Sequence, residues 1–255
     1  MKRTPVFLCF AALLTVCSLH APGQGQDPDP KAIMQRSQDK INGKSSKGIM
    51  KMTIVRPGWS REVTMKTWSL EEDYYMIYIL SPAREKGQVF LKRGNNMWNY
   101  LPSINRTMKI PSSMMSQSWM GSDFTNNDLM KMNSFVEDYD HSIVGEDTVS
   151  GYHCHILELL PKPSAPVVWG KVHVWVSVNG YYQMKFEFFD ENMELVNREV
   201  CSNIKTMGDR KLPSKMVMTP ADKEGNQTII EVLEMEYNVD LSQEFFSRQK
   251  MKSVR

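Results

Sequence analysis

The sequence has almost no excess charge: 31 basic residues stand against 29 acidic ones. Loss of Lys2 and Arg3 with an N-terminal leader makes the two signs equal. Nucleic-acid binding needs a basic footprint, so this balance argues against that class of partner. Long apolar runs are missing beyond the N-terminus, and none approaches the ~20 residues of a membrane span. Catalytic signatures are missing too. The chain has no G-x-S-x-G, no H-E-x-x-H and no C-x-x-C, so serine hydrolysis and zinc chemistry lack their usual frame. No glycine-rich loop opens a helix to cradle a phosphate, and no repeat of fixed period is present.

Cysteine is scarce. Of four residues, Cys9 and Cys17 fall in the leader, and Cys154 and Cys201 remain. An exported pair can oxidise. The strand pattern, however, places two strands between theirs. Neighbouring strands lie ~4.8 Å apart, too wide a gap for a disulfide unless the sheet curls. The pattern favours two buried thiols, which are inert as nucleophiles.

Other chemistry-bearing residues are few. His153 and His155 share one strand face and His173 lies on the next strand, but no Cys or acid sits at ligand spacing. Ordinary strand-face histidines account for them as well as zinc does. Glu71-Glu72-Asp73 and Glu137-Asp138 read as solvated loop acids. No catalytic residue, metal or cofactor is expected.

The N-terminus reads as a secretory signal over residues 1–21: Lys2-Arg3, an apolar Val6–Val16 core, then Ser18-Leu19-His20-Ala21. Gly25 is the alternative cleavage point. A lipid anchor at Cys17 would need a small residue where Val16 stands. Residues 22–30 are polar and rich in Pro and Gly, as in a flexible linker, and residues 31–255 read as a single domain. The expected location is the periplasm.

Asp29-Pro30 signals a helix start, with Ile33, Met34, Ser37 and Ile41 on one face and Gly43 beyond the end. From Gly48 the period becomes two. Met50, Met52 and Ile54 alternate with polar residues, as do Val63, Met65 and Thr67. Tyr74–Leu80 is apolar on both faces, and Gln88–Lys92 follows. Beyond residue 134 an irregular edge segment, strands over Tyr152–Leu160 and Val167–Val178, and an Asn179-Gly180 hairpin lead into Tyr181–Phe189. Three more strands and a closing helix at Ser242–Lys250, anchored by Phe245 and Phe246, complete the chain. The expectation is a mostly β (α+β) fold: about ten antiparallel strands in meanders, strongly curved, with helices over the concave face.

What is abundant is methionine, 20 in all. Six of them (Met97, Met108, Met114, Met115, Met120 and Met130) fall between Gly94 and Met130 beside Trp98 and Trp119. Methionine is flexible and polarizable, and suits surfaces that adapt to variable apolar partners. It also fills ordinary cores. Trp98 and Tyr100 alternate on a short strand, Pro102 leads a turn, Arg106–Ile110 forms a second strand, and Met120-Gly121-Ser122-Asp123-Phe124 precedes a helix start at Asn126-Asn127-Asp128.

The order W-x-Y-x-P-x-x-x-R, then M-G-S-D-F and a downstream Asp-Leu, resembles the LolA-like family of outer-membrane lipoprotein-sorting proteins. The matching residues are Trp98, Tyr100, Pro102, Arg106, Met120 to Phe124 and Asp128-Leu129; Met108 departs from the commoner Ile, with Ile110 nearby. The likeness runs from about Ala32 to Phe246. It implies an incomplete antiparallel barrel with a helical lid, whose cavity holds acyl chains. It also implies partners: an inner-membrane transporter that loads the carrier and an acceptor at the outer membrane.

Candidate cleft and lid residues are therefore Trp98, Tyr100, Pro102, Arg106, Met108, Trp119, Met120, Phe124, Met50, Met52 and Met65. Arg106 stands out as a polar residue in an apolar motif. Its guanidinium suits a headgroup or a lid carbonyl; a strand surface, or an ion pair with Asp123 or Asp128, would use it equally well. The expected function is non-enzymatic carriage of lipoprotein acyl chains or lipids between membranes. The alternative is an envelope accessory protein that binds a protein segment without lipid cargo.

Overall fold

Two meanders run outward from the middle of one antiparallel sheet. The computed structural model describes residues 29–131, 135–163, 165 and 167–255. The expected signal peptide, Cys17 and linker residues 22–28 lie outside the described residues, as do Met132 and Ser134. Asp29 and Pro30 open the first helix, as their motif predicts, at the end of the stretch read as a linker.

That helix is α1, Pro30–Asn42. The Asp29 carboxylate accepts from the Lys31 amide at 3.0 Å, and Gly43 ends the helix at φ +60°, so both termini are capped as the sequence predicts. Ile33, Met34, Ser37 and Gln38 face inward.

The first meander comprises β1 (Ser45–Arg56), β2 (Trp59–Leu70), β3 (Tyr74–Ser81), β4 (Val89–Arg93), β5 (Asn96–Leu101) and β6 (Arg106–Lys109). A short helix, α2 (Asn126–Lys131), lies in the connection that follows. The second meander comprises β7 (Tyr139–Val149), β8 (Tyr152–Pro161), β9 (Lys171–Ser177), β10 (Gln183–Phe189), β11 (Leu195–Met207), β12 (Arg210–Pro220) and β13 (Gln227–Tyr237).

The strand order is β6-β5-β4-β3-β2-β1-β13-β12-β11-β10-β9-β8-β7. β1 and β13 join the halves, and β6 and β7, adjacent in sequence, are the two open edges. The chain therefore passes from one edge of the sheet to the other between β6 and β7. Register shifts at Ile49/Met50, Thr64/Met65, Ile143/Gly145 and Phe188/Phe189 mark bulges, which bend strands and increase twist. At the central seam Gly48 admits β13 closely: a Cβ there would stand 2.7 Å from the Glu234 carbonyl oxygen.

The sheet has two covered faces. On the inner one lie α1 and residues 110–131 and 135–138. On the outer one the C-terminal segment buries Phe246, Met251 and Val254 against Trp68, Met76, Tyr78 and Leu91.

Two expectations are corrected. The irregular edge segment expected from Ser134 to Ser142 does lie at the edge, but from Tyr139 it is part of a longer strand, β7, bulged at Ile143/Gly145. The closing helix is instead two 3-10 turns, Gln243–Phe245 and Lys250–Lys252. Phe245 and Phe246 do anchor this segment, but on the outer face.

Candidate functional site

The M-G-S-D-F motif lies across the inner face and is strapped there by the β1–β2 hairpin. Arg56, just before the Pro57-Gly58 turn, donates from Nη1 to Asp123 Oδ2 at 3.0 Å and sits with Nη2 3.0 Å from Oδ1. Its Nη2 also donates to the Gly121 carbonyl at 2.8 Å. Thr228 on β13 completes the clasp: its hydroxyl donates to Asp123 Oδ2 at 2.7 Å and accepts from the Asp123 amide at 2.9 Å. On the far side of the turn, Arg61 pairs with Glu85 at 3.2 Å and donates to the Met120 carbonyl. Arg56 and Asp123 are both largely buried, so their charges are compensated in a medium where unpaired ones are costly.

The strap positions a run of apolar residues. Trp119 meets Phe90 edge-on at 5.4 Å between ring centres. Met115, Met120, Leu129 and Met130 pack with Met52, Met65, Ile77 and Met97. Phe124 reaches the other half of the face, against the cluster that α1 covers. At the start of α2, Thr125 and Asp128 bond reciprocally: the Thr125 hydroxyl accepts from the Asp128 amide at 3.2 Å and donates to Oδ2 at 2.8 Å, a capping-box arrangement.

The helix α1 forms the second cover. Gln183 donates to the Ser37 hydroxyl at 3.0 Å. Lys40 donates to the Gly180 carbonyl at 2.7 Å and Arg36 to the Tyr181 hydroxyl at 2.7 Å. Arg210 donates to the Lys40 carbonyl at 3.1 Å.

Beneath these covers the face is lined with methionine. Met50, Met52, Met65, Met97, Met115, Met120 and Met130 lie in the half under the loop. Met34, Met216 and Met218 lie under α1, and Met207 and Met235 lie near its C-terminal end. Twelve of the 20 methionines therefore share one face. Met34, Met52, Ile54 and Val63 have no surface that water can touch. At those positions the expected hollow is filled by side chains.

On the inner face of the second half an acid is buried. Glu199 and Cys201 on β11 stand 3.6 Å apart, Oε1 to Sγ. Burial pushes Glu199 up to about 7, with the Asp128 charge adding to the rise. Burial also raises Asp128, opposed by its bonds to Thr125 and the Trp169 side chain.

The candidate residues divide into two groups. Met50, Met52, Met65, Trp119, Met120 and Phe124 converge on the inner face. Trp98 and Tyr100 belong to the outer cluster with Phe246 and Met251, while Pro102 and Met108 are exposed. Arg106 pairs with neither Asp123 nor Asp128; it lines an outer cleft of about 990 Å³. Arg56, Arg61 and Thr228 are the polar residues that sequence reasoning missed. The pair of arginines flanking the Pro57-Gly58 turn was the available signal.

The thiols are separate. Cys154 is buried on the outer face and Cys201 on the inner one, with β9 and β10 between their strands. His153 Nε2 and His155 Nδ1 each lie 3.1 Å from one carboxylate, Glu146 on β7. His173 lies 3.1 Å from Glu158 instead. Among the described residues no set of three or more His, Cys, Asp or Glu side chains is arranged to hold a metal ion.

Comparison with known proteins fits this architecture. A family model described as "Uncharacterized protein" matches residues 71–253. An outer membrane lipoprotein-sorting protein domain, so assigned, from Vibrio parahaemolyticus superposes with a TM-score of 0.77 at 25% identity, covering 88% of this chain and 98% of that one. The chain belongs to the LolA-like family. A DUF1329 family protein from Desulfovibrio piger is similar to this LolA-like chain at a TM-score of 0.79 and 26% identity, covering 88% of this chain and 100% of that one. A LolA superfamily protein from Nitrosomonas europaea has the same fold, at a TM-score of 0.74 and 20% identity, over 87% of this chain and 98% of its own. The sporulation protein YdcC of Bacillus subtilis is 26% identical over 116 residues, 46% of the LolA-like chain and 34% of YdcC. The chain thus spans about a third of that curated relative. The fold is that of a lipoprotein-sorting protein domain and of a LolA superfamily protein, and the M-G-S-D-F part of the resemblance is the stretch that the Arg56 clasp holds.

Proposed function

We propose that this LolA-like chain carries acyl chains, of lipoproteins or of lipids, on its inner face and without catalysis. The observation that supports this best is the methionine-lined face beneath two covers held by polar clasps. A thioether chain has three rotatable bonds and no fixed shape, so such a face can repack around guests of different length. Cargo enters as residues 112–131 lift, and the methionines that fill the face make room. Burying about ten methylenes at ~0.8 kcal/mol each contributes on the order of 8 kcal/mol, which corresponds to roughly micromolar affinity. That suffices for loading and still permits release.

On this reading the protein works in the periplasm after export. A transporter at the inner membrane loads it and an acceptor at the outer membrane unloads it. Extraction of the purified protein with organic solvent, followed by mass spectrometry, tests the proposal. Co-purifying or exchangeable lipid supports it. A protein free of lipid that takes up none, and that returns one protein partner in a pull-down, favours an accessory protein that binds a protein segment.

A further inference from the structure

The outer face has a cleft that carriage on the inner face does not use. It opens between the β4–β6 end of the sheet and the C-terminal segment, with a volume of about 990 Å³. Its floor is the partly exposed Trp98, which lies over the buried Leu91 and Phe246. Its walls carry five cations, Arg93, Arg106, Lys109, Arg248 and Lys252, and no acid lines it. Glu244, outside the lining, feels the charge of Arg93. Among the described residues none of the five forms an ion pair. In a chain with a formal net charge of +2, that is a local concentration of unopposed positive charge. Thr107 also lines the cleft, and its hydroxyl is buried without a partner.

An apolar floor ringed by cations and a spare hydroxyl fits an anion joined to a greasy body. The β5–β6 hairpin adds a second observation. Ile104 is 61% exposed and Met108 37% exposed, on the same edge that presents Arg106 and Lys109. Apolar tips beside basic residues suit the interface of an anionic bilayer, where each nearby cation adds affinity and Trp settles at headgroup depth.

We propose that this cleft binds the phosphate of an anionic phospholipid at a bilayer surface, with the cations on the phosphate and Trp98 under the glycerol and first methylenes. The site is distinct from the cargo face, so its failure would leave the carrier proposal standing, and lipid extraction would still report on that separately.

The test is flotation of the full chain with vesicles of phosphatidylcholine, alone or mixed with phosphatidylglycerol. Preferential binding to the mixed vesicles is expected. The double variant Arg106→Glu, Lys109→Glu, at exposed edge positions, should lower it about tenfold or more; Lys223→Glu, outside the cleft, should not. Ile104→Ser should weaken it with the charges intact. Equal binding to both vesicle types, or insensitivity to the double variant, overturns the proposal. So does binding of inorganic phosphate, or of an acidic peptide, without vesicle binding.

Discussion

Arg56 grips Asp123 with both amino groups, at 3.0 Å each, across 67 residues of sequence. This pair fixes the motif loop to the tip of the β1–β2 hairpin. Removing one member leaves a largely buried charge unmatched, a loss of about 3 kcal/mol or more. Asp123→Ala should lower thermal stability and raise hydrogen exchange across residues 112–131, while β8–β12 stay protected. An exchange increase spread evenly over the sheet would contradict a local strap. The cycle of Arg56→Met, Asp123→Leu and the double variant should show the double to be less damaged than the single changes summed.

Glu199 makes the fold sensitive to pH. Its carboxyl is held up to about 7 in the folded protein by burial, whereas in the unfolded chain it titrates near 4.3. Between these values the folded state holds the extra proton. Stability from this group is therefore full below about 4.3 and is lost as pH rises from there to about 7, by at most about 4 kcal/mol. Glu199→Gln should flatten that part of the stability profile, measured by denaturant midpoint at pH 5 and pH 8. An unchanged slope would place the titration elsewhere.

On the carrier proposal, methionine on the loop side of the inner face should matter for binding more than for folding. Met115 and Met120 are only partly buried. Met115→Gln with Met120→Gln should weaken uptake of a fluorescent fatty acid about tenfold, at a small cost in melting temperature. Equal losses in uptake and stability would mark these residues as plain core.

Neither thiol should react in the native state. Burial pushes Cys154 up to about 11 and raises Cys201 well above its ordinary value. Alkylation at neutral pH should be slow for both and fast after unfolding, with two free thiols counted and no disulfide. Rapid labelling of native protein would refute this.

Local features were legible in the sequence and distant partnerships were not. The caps of α1, the alternation of Met50, Met52 and Ile54, and the Asn179-Gly180 turn depend on neighbours and could be read directly. The clasp of Arg56, Asp123 and Thr228 could not, because its members lie on three separate stretches. Trp98 and Trp119 are close in sequence but end on opposite faces. Between them β6 is the sheet's last strand, and beyond Pro111 the chain is free to fold over the inner face. β7 escaped notice because the bulge at Ile143/Gly145 breaks its alternation and Val144 is exposed in line with Asp140, Ser142 and Glu146. The unpaired cations around Trp98 were hidden by a nearly neutral total charge.

The most direct test of the carrier proposal is photocrosslinking with a fatty acid that bears a diazirine in its tail, followed by peptide mapping. The account predicts adducts on the inner face, in the peptides that contain Met50, Met65 and Met120, and fewer adducts after Met115→Gln with Met120→Gln. Adducts confined to the outer cleft of Leu91, Trp98 and Phe246, or none at all, would contradict it.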